Sequence, residues 1–325
     1  MKPDSCGLYV ALCLLLHVGS TGAQTYTVTK LLYGEPEREM TSAGGGLNTI
    51  PQAANLTLTY YGSLPQNKFI AINEMNVPSS VPGNPCSADA ANRPADSTHS
   101  GVLYAENLKS ILLLQHVLML SRRIFAVCYA EVDGGSFDTT WVDSGIRVTF
   151  SEITAVSSHL VSHLTYGSIA KVDGLQLTYS GTHVAGGWLS LVASSLNGGS
   201  PCADASFPEA ARTECWPPTD PSCSTSQYSG PALAPAGTRT AVFNTLSLLD
   251  DHYLSFAVCY KNSTESSWRD SSIRLYISKL VSLRYGSDST SFEQRRFRAH
   301  NLMPATNVLP QVSLAWLRPF LRMYG

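Results

Sequence analysis

Phe125-Ala-Val-Cys128-Tyr129, followed by Trp141-Val-Asp143-Ser144-Gly-Ile146-Arg147-Val148, recurs as Phe256-Ala-Val-Cys259-Tyr260, followed by Trp268-Arg-Asp270-Ser271-Ser-Ile273-Arg274-Leu275. Working outward, Leu56-Thr-Leu-Thr-Tyr60 returns as Leu175-Gln-Leu-Thr-Tyr179, and Phe69–Ile72 returns as Trp188–Leu191. Pro85-Cys86 matches Pro201-Cys202, and His163–Ser168 matches Ser282–Ser287. Blocks matching in one order mark a tandem duplication. The residues inside them alternate. Leu56, Leu58 and Tyr60 are spaced by two, as are Phe125, Val127 and Tyr129, and Ile146, Val148 and Phe150. That is the period of a strand with one face on a core. Asp133-Gly134-Gly135 and Asn262-Ser263 supply hairpin chemistry between the strands. The run Ile111–Leu120 is continuous rather than alternating, but its counterpart Ala241–Leu248 alternates, so both are read as strands. Repeats of this length with several short strands suit a two-sheet sandwich.

The chain has 325 residues, enough for two or three compact domains. Its 22 Lys+Arg against 24 Asp+Glu give a net charge of -2, which offers no field for a polyanion and argues against nucleic acid as a partner. Residues 1–23 read as a secretory signal peptide, with the apolar stretch Leu8–Leu16 and the small-residue site Ser20–Ala23. No later stretch has the eighteen or so uncharged apolar residues of a membrane span. The expected location is secreted and extracellular.

Removal of the signal leaves six cysteines, at 86, 128, 202, 215, 223 and 259, and an even number in a secreted chain points to disulfides. The duplication selects the pairing. Cys86 with Cys128 and Cys202 with Cys259 occupy matching positions. Cys215 and Cys223 lie in an insertion of the second copy and close a local loop. Asn55-Leu-Thr57 and Asn262-Ser-Thr264 are N-glycosylation sequons.

The block Phe-Ala-Val-Cys-Tyr, a turn, then Trp-x-Asp-Ser-x-Ile-Arg resembles the final hairpin of an immunoglobulin-like domain. It is also similar to tandem repeats of secreted cell-surface proteins of protists and algae. The resemblance covers both repeats and departs from antibody domains in two ways: Trp141 and Trp268 follow the second cysteine, and Ala126 and Ala257 stand where a tyrosine is usual. The expected fold is all-β: two tandem immunoglobulin-like β-sandwich repeats, disulfide-stapled, with a partial third repeat at the C-terminus. The expected divisions are signal peptide 1–23, N-terminal strand or linker 24–34, repeats at 35–166 and 167–286, and a basic linker with the partial third repeat at 287–325.

Motifs of the serine-hydrolase elbow, zinc protease, P-loop and dinucleotide fingerprint do not occur in the sequence. His159 and His163 stand at helical zinc spacing, but in strand surroundings. Asp133, Asp138 and Asp143 are candidate calcium oxygens, read instead as turn caps. Asp143 with Arg147, and Asp270 with Arg274, read as structural ion pairs rather than an active site. Trp188, Tyr179 and Trp268 are candidates for a sugar platform, read instead as core. Arg295–Arg298 reads as a solvated basic linker. No cofactor, metal or catalytic set is expected.

At the ends, Lys30-Leu-Leu-Tyr33-Gly34 resembles His163–Gly167 and Ser282–Gly286, and Met303–Trp316 resembles Ile50–Tyr60. A lone strand carrying Val312, Leu314 and Trp316 is an exposed-edge liability. Two explanations stay open: a chain cut short, or a strand that completes another molecule and links copies head to tail. The function expected from these observations is a non-enzymatic structural or adhesive component of a cell surface or extracellular assembly, with extracellular proteins or further copies as partners. The alternative is a carbohydrate- or protein-binding module, with glycans as ligands.

Overall fold

The structure, a computed structural model, describes residues 26–279 except 35–36, 44–47, 107, 115–119, 210–226, 247 and 249–252. Past 279 it describes the backbone of Leu283–Tyr285, Phe292–Gln294 and Val312–Leu314. The stretch read as a signal peptide lies outside the described residues.

The first copy runs through β1 (Lys30–Tyr33), β2 (Arg38–Thr41), β3 (Thr49–Ile50), β4 (Leu56–Tyr61) and β5 (Phe69–Glu74). A one-turn helix α1 (Ala88–Ala91) follows, then β6 (Leu103–Tyr104), β7 (Ser110–Leu113), β8 (Phe125–Ala130) and β9 (Val142–Phe150). One sheet has the order β2-β1-β4-β7, the other β3-β9-β8-β5-β6, and β3 runs parallel to β9. The second copy repeats the plan with β10 (Ile153–Ser158), β11 (Val161–His163), β12 (Tyr166–Ile169), β13 (Leu175–Gly181) and β14 (Trp188–Ala193). It continues through α2 (Ser206–Glu209), β15 (Tyr228–Leu233), β16 (Thr240–Phe243), β17 (Phe256–Lys261) and β18 (Arg269–Ile277). Its sheets are β11-β10-β13-β16 and β12-β18-β17-β14-β15, with β12 parallel to β18. Lettered in the immunoglobulin manner, each copy puts A, B and E in one sheet and C, F and G in the other, the division of that sandwich.

The period-two pattern explains the packing. Leu56, Leu58 and Tyr60 turn inward from β4, and Phe125, Val127 and Tyr129 meet them from β8. Leu175, Leu177 and Tyr179 meet Phe256, Val258 and Tyr260 in the second copy. The two inner tyrosines are buried with their hydroxyls satisfied: Tyr60 donates to the Pro65 carbonyl at 2.7 Å and Tyr179 to the Val184 carbonyl at 2.6 Å. The glycine closing each of these strands is forced. A Cβ at Gly62 (φ 128°) would stand 2.2 Å from the Thr27 carbonyl oxygen, and one at Gly181 (φ 119°) 2.2 Å from that of Glu152.

The opposite faces of β8 and β17 are also buried. Ala126, Cys128 and Ala130 form a second cluster outside the sandwich with Ala71, Cys86, Ala91 and Trp141. Cys202, Cys259, Trp268, Ala257 and Val192 form its counterpart. The segment between β5 and β6, with α1 inside it, covers this outer face. A sheet buried on both sides explains why Phe125–Ala130 is apolar throughout.

Within 24–34, Lys30–Tyr33 form β1, which lies inside the first sheet and pairs with both β2 and β4. Three expectations are corrected. The boundary at 166/167 is displaced, because β10 and β11 pair with each other and with β13 in the second copy. The sandwiches divide at Ser151-Glu152. The counterpart of β1 is β10, not His163–Gly167: Leu31 pairs with Tyr60 as Val156 pairs with Tyr179. A bulge between Ile153 and Ala155 breaks the alternation that marks β10 as a strand. Finally, the strand expected over Ile111–Leu120 is β7, which ends at Leu113.

Past the second sandwich, β19 (Leu283–Tyr285), β20 (Phe292–Gln294) and β21 (Val312–Leu314) form a sheet in the order β20-β19-β21. The strand carrying Val312 and Leu314 is therefore not alone: Val312 pairs with Tyr285 and Leu314 with Leu283 in the same chain. This removes the premise for a strand left to complete another molecule. Trp316 lies outside the described residues.

Candidate functional site

Only Ser151 and Glu152 separate β9 from β10, and both are buried. The sandwiches therefore meet without a linker, and two networks of charged side chains, around Asp270 and around Glu152, lie where they meet. The Asp-Ser-x-Ile-Arg block builds one half of this junction. Residues four apart on an extended strand are about 13 Å apart, too far for an ion pair, so the strand has to contract. It does so at a bulge, where Gly145 (φ 76°) in β9 and Ser272 (φ 66°) in β18 take left-handed backbone. The aspartate caps the bulge: Asp143 accepts from Gly145 N–H at 2.8 Å, and Asp270 from Ser272 N–H at 2.7 Å. Arg147 then closes on Asp143 through two bonds of 2.8 and 2.7 Å, and Arg274 on Asp270 through two of the same lengths. The ion-pair reading of both couples is what the geometry shows.

The second couple is drawn into the junction. Arg38 on β2 donates from Nη2 to Asp270 Oδ2 at 2.9 Å, so one carboxylate is shared by two guanidiniums. Ser272 donates across the junction to the Thr49 carbonyl at 2.7 Å, which also accepts from the Tyr33 hydroxyl at 2.7 Å. A serine here takes on the steric cost of a left-handed φ that Gly145 bears freely, and gains an inter-sandwich bond. Burial pushes the Asp270 carboxyl up, but Arg274 and Arg38 overcome it and hold it well below the usual range. The Tyr33 hydroxyl is pushed up by burial.

A second network is centred on Glu152. Burial raises its carboxyl, but His183, Arg122 and Arg269 outweigh that and bring it down to about 2. Arg122, just ahead of β8, grips both its oxygens and pairs through Nη1 with Glu265 at 3.0 Å. His183 lies with Nδ1 3.2 Å from Glu152 Oε2, and Arg269 approaches Oε1 at 3.7 Å. The Glu152 N–H donates to the Tyr260 hydroxyl at 3.0 Å, and burial pushes that phenol well up. His183 is fully buried, and a Cβ at Gly187 would stand 2.2 Å from its Nε2, so only glycine fits there. Clefts of about 280 and 240 Å³ flank Arg38, one lined by Arg269 and Trp268 and the other by Glu39 and Arg274.

The cysteine pairs form as the duplication requires: Cys86–Cys128 and Cys202–Cys259 are bridged, 42 and 57 residues apart. In the chain-entropy model each contributes about 4 kcal/mol. Neither bridge joins the two sheets. Each ties a loop to the outer face of strand β8 or β17, and the tryptophan that follows packs on it there. Cys215 and Cys223 lie outside the described residues, as does Arg295–Arg298.

Asn55 is exposed in the turn before β4 at φ 57°, whereas Asn262 is half-buried. Asp138 caps its turn, accepting from the N–H groups of Asp133, Gly134 and Thr140 at 2.9, 2.8 and 2.9 Å. Burial raises its carboxyl, but Thr140 and those backbone donors bring it down to about 2. Among the described residues no three His, Cys, Asp or Glu side chains are placed to hold a metal ion. His163 is buried and His159 sits in a tight turn. Tyr179 and Trp268 are core, and Trp188 is half-buried, so these three rings do not form an open sugar platform. No helix of the described residues is long and apolar enough to cross a membrane.

Sequence reasoning singled out Asp270 and Arg274 but missed Arg38, Arg122, Glu152 and His183. Arg38 has no repeat signal, since Val161 holds its place in the second copy: β1 pairs with β2 in the register that β10 keeps with β11.

No protein-family profile matches the chain, and no curated protein does at a significant score. Among solved structures it is similar to one titled "Anomalous substructure of Titin-A168169", with 11% identity, 72% of this chain and 95% of that chain covered, and a TM-score of 0.17. It is also similar to Drosophila N-cadherin EC1-3, with 7% identity, 71% and 63% covered, and a TM-score of 0.18. A third is Dscam1 isoform 6.44, N-terminal four Ig domains, with 9% identity, 80% and 56% covered, and a TM-score of 0.19. Scores this low carry no argument. The sandwich assignment rests on strand order, register and core.

Proposed function

We propose that the chain is a secreted, non-enzymatic structural or adhesive component of a cell surface or extracellular assembly. The observation that carries this reading is the junction. Two disulfide-stapled sandwiches are joined without a linker, and their charged side chains are spent on one another, which makes a stiff unit suited to spacing and display. The sheet of β19 to β21 repeats the order β2-β1-β4 and reads as the opening of a third repeat. Two bridges of the Cys86 and Cys202 type call for an oxidising compartment, and Asn55 stands open to a glycan. Extracellular proteins, including further copies, are the partners that fit.

Expression with the native N-terminus in a eukaryotic cell tests this. The chain is expected in the medium, cut after Ala23, with Cys86, Cys128, Cys202 and Cys259 oxidised, and bound to cells or matrix when added back. Retention in the cytosol with free thiols would sink the reading.

A further inference from the structure

The charges around Asp270 do not cancel. Its one negative charge faces the two guanidiniums of Arg38 and Arg274, and all three side chains are largely buried. The Tyr33 ring lies 5.6 Å from Arg38 Cζ, but its hydroxyl stays neutral because burial pushes it up. Arg38 Nη1 is buried with no hydrogen-bond partner among the described residues. A cation left over in a low-dielectric wall is costly, and an anion nearby relieves it.

The two clefts beside Arg38 answer that charge differently. The one of about 240 Å³ is lined by Glu37 and Glu39 as well as Arg38 and Arg274, so it brings carboxylates of its own. The one of about 280 Å³ has Asp270 as its one acid among the described residues, against Arg38 and Arg269. Asp270 is already taken by Arg274 and Arg38. Arg269 is the loosest of the groups on Glu152: it stands 3.7 Å from Oε1, while Arg122 and His183 hold that carboxylate more closely. The Arg269 side chain is 36% exposed, so a cationic group on the cleft wall is open to solvent.

Hydroxyls surround the same space. Thr149 lines it from the first sandwich, and Ser200 and Ser267 line it from the second. Its volume falls just under the roughly 300–1,000 Å³ of small-molecule sites, which often form between domains. Protein walls around two guanidiniums focus a positive potential into such a space. Trp268, also on the wall, is buried, so its ring offers no stacking face. Charge and hydroxyls are what this cleft has to recognise a ligand with.

We propose that the cleft binds a sugar acid, a pyranose carrying a carboxylate, with Arg269 on the carboxylate above the positive floor of Arg38 and the serine and threonine hydroxyls on the ring hydroxyls. The inference goes beyond the structural reading above and does not rest on it, since a stiff unit needs no ligand at its seam.

Calorimetric titration of the full mature chain at low salt tests it, with glucuronate as the probe, glucose as its neutral counterpart and acetate as the bare carboxylate. Glucuronate is expected to bind one to one. Glucose and acetate should each bind about tenfold or more weakly, because each lacks half of what is recognised. Arg269→Gln should weaken glucuronate about tenfold or more, the worth of a charge-assisted hydrogen bond. Ser267→Trp, at an exposed position on the rim, should obstruct the cleft to the same degree without changing its charge. Glu39→Gln, in the other cleft, should bind like the parent. A parent that does not bind glucuronate, glucose or acetate binding as tightly as glucuronate, or Arg269→Gln and Ser267→Trp both binding like the parent would each overturn the proposal. Secretion and cell binding are read separately, so the structural reading stands or falls on its own.

Discussion

The two Asp-Ser-x-Ile-Arg bulges have the same local geometry and different surroundings. Asp143 and Arg147 keep 30% and 25% of their side chains exposed, while Asp270 and Arg274 keep 9% and 3%. What separates them is Arg38 and the wall of the first sandwich. An exposed pair exchanges water for a partner at little net gain, but a buried carboxylate shared by two guanidiniums cannot lose a member without stranding the others. The motif is therefore a local device that caps a bulge, and burial converts one copy of it into the seam of the molecule.

The largest expected effect comes from Asp270→Ala, which leaves Arg38 and Arg274 buried without a counter-charge and should cost about 3–5 kcal/mol. Guanidinium unfolding followed by tryptophan fluorescence reads it, and an unchanged midpoint would erase the distinction between the two bulges. Next comes Glu152. Its folded value of about 2 lies below the ordinary 4.5, so the stability it supplies is present above pH 4.5 and drains away as pH falls toward 2. The loss is on the order of 3 kcal/mol. Urea unfolding across that range should show the decline in the parent and a flatter curve in Glu152→Gln. The smallest effect is that of Asp143→Ala, expected to cost under about 1 kcal/mol in the same guanidinium assay, because water replaces what is lost. A cost matching that of Asp270→Ala would mean that the bulge itself, not its burial, carries the energy.

Repetition made much of the fold legible. The alternation in Leu56–Tyr60 and Phe125–Tyr129 foretold inward faces, and matching positions foretold which cysteines pair. What stayed hidden was the seam. Arg38 and Glu152 have no charged counterpart in the other copy, where Val161 and Thr27 stand, and which charge an arginine meets depends on how two sandwiches are set against each other. β10 escaped notice for a local reason, the bulge at its start. The paired tryptophans, whose place after the second cysteine marked a departure from antibody domains, pack on the bridge from outside the sandwich rather than from within.

The parallel pairing of β3 with β9 and of β12 with β18 bears on how the chain takes load. Tension along a sandwich pulls its opening strands one way and its closing strand the other. A parallel pair set along that line is sheared, so its hydrogen bonds bear force together rather than parting one after another. The first such pair spans two residues, Thr49 and Ile50, and the second spans four, Tyr166–Ile169. Under a steady pull the first sandwich is therefore expected to open before the second, an order that single-molecule stretching reads directly.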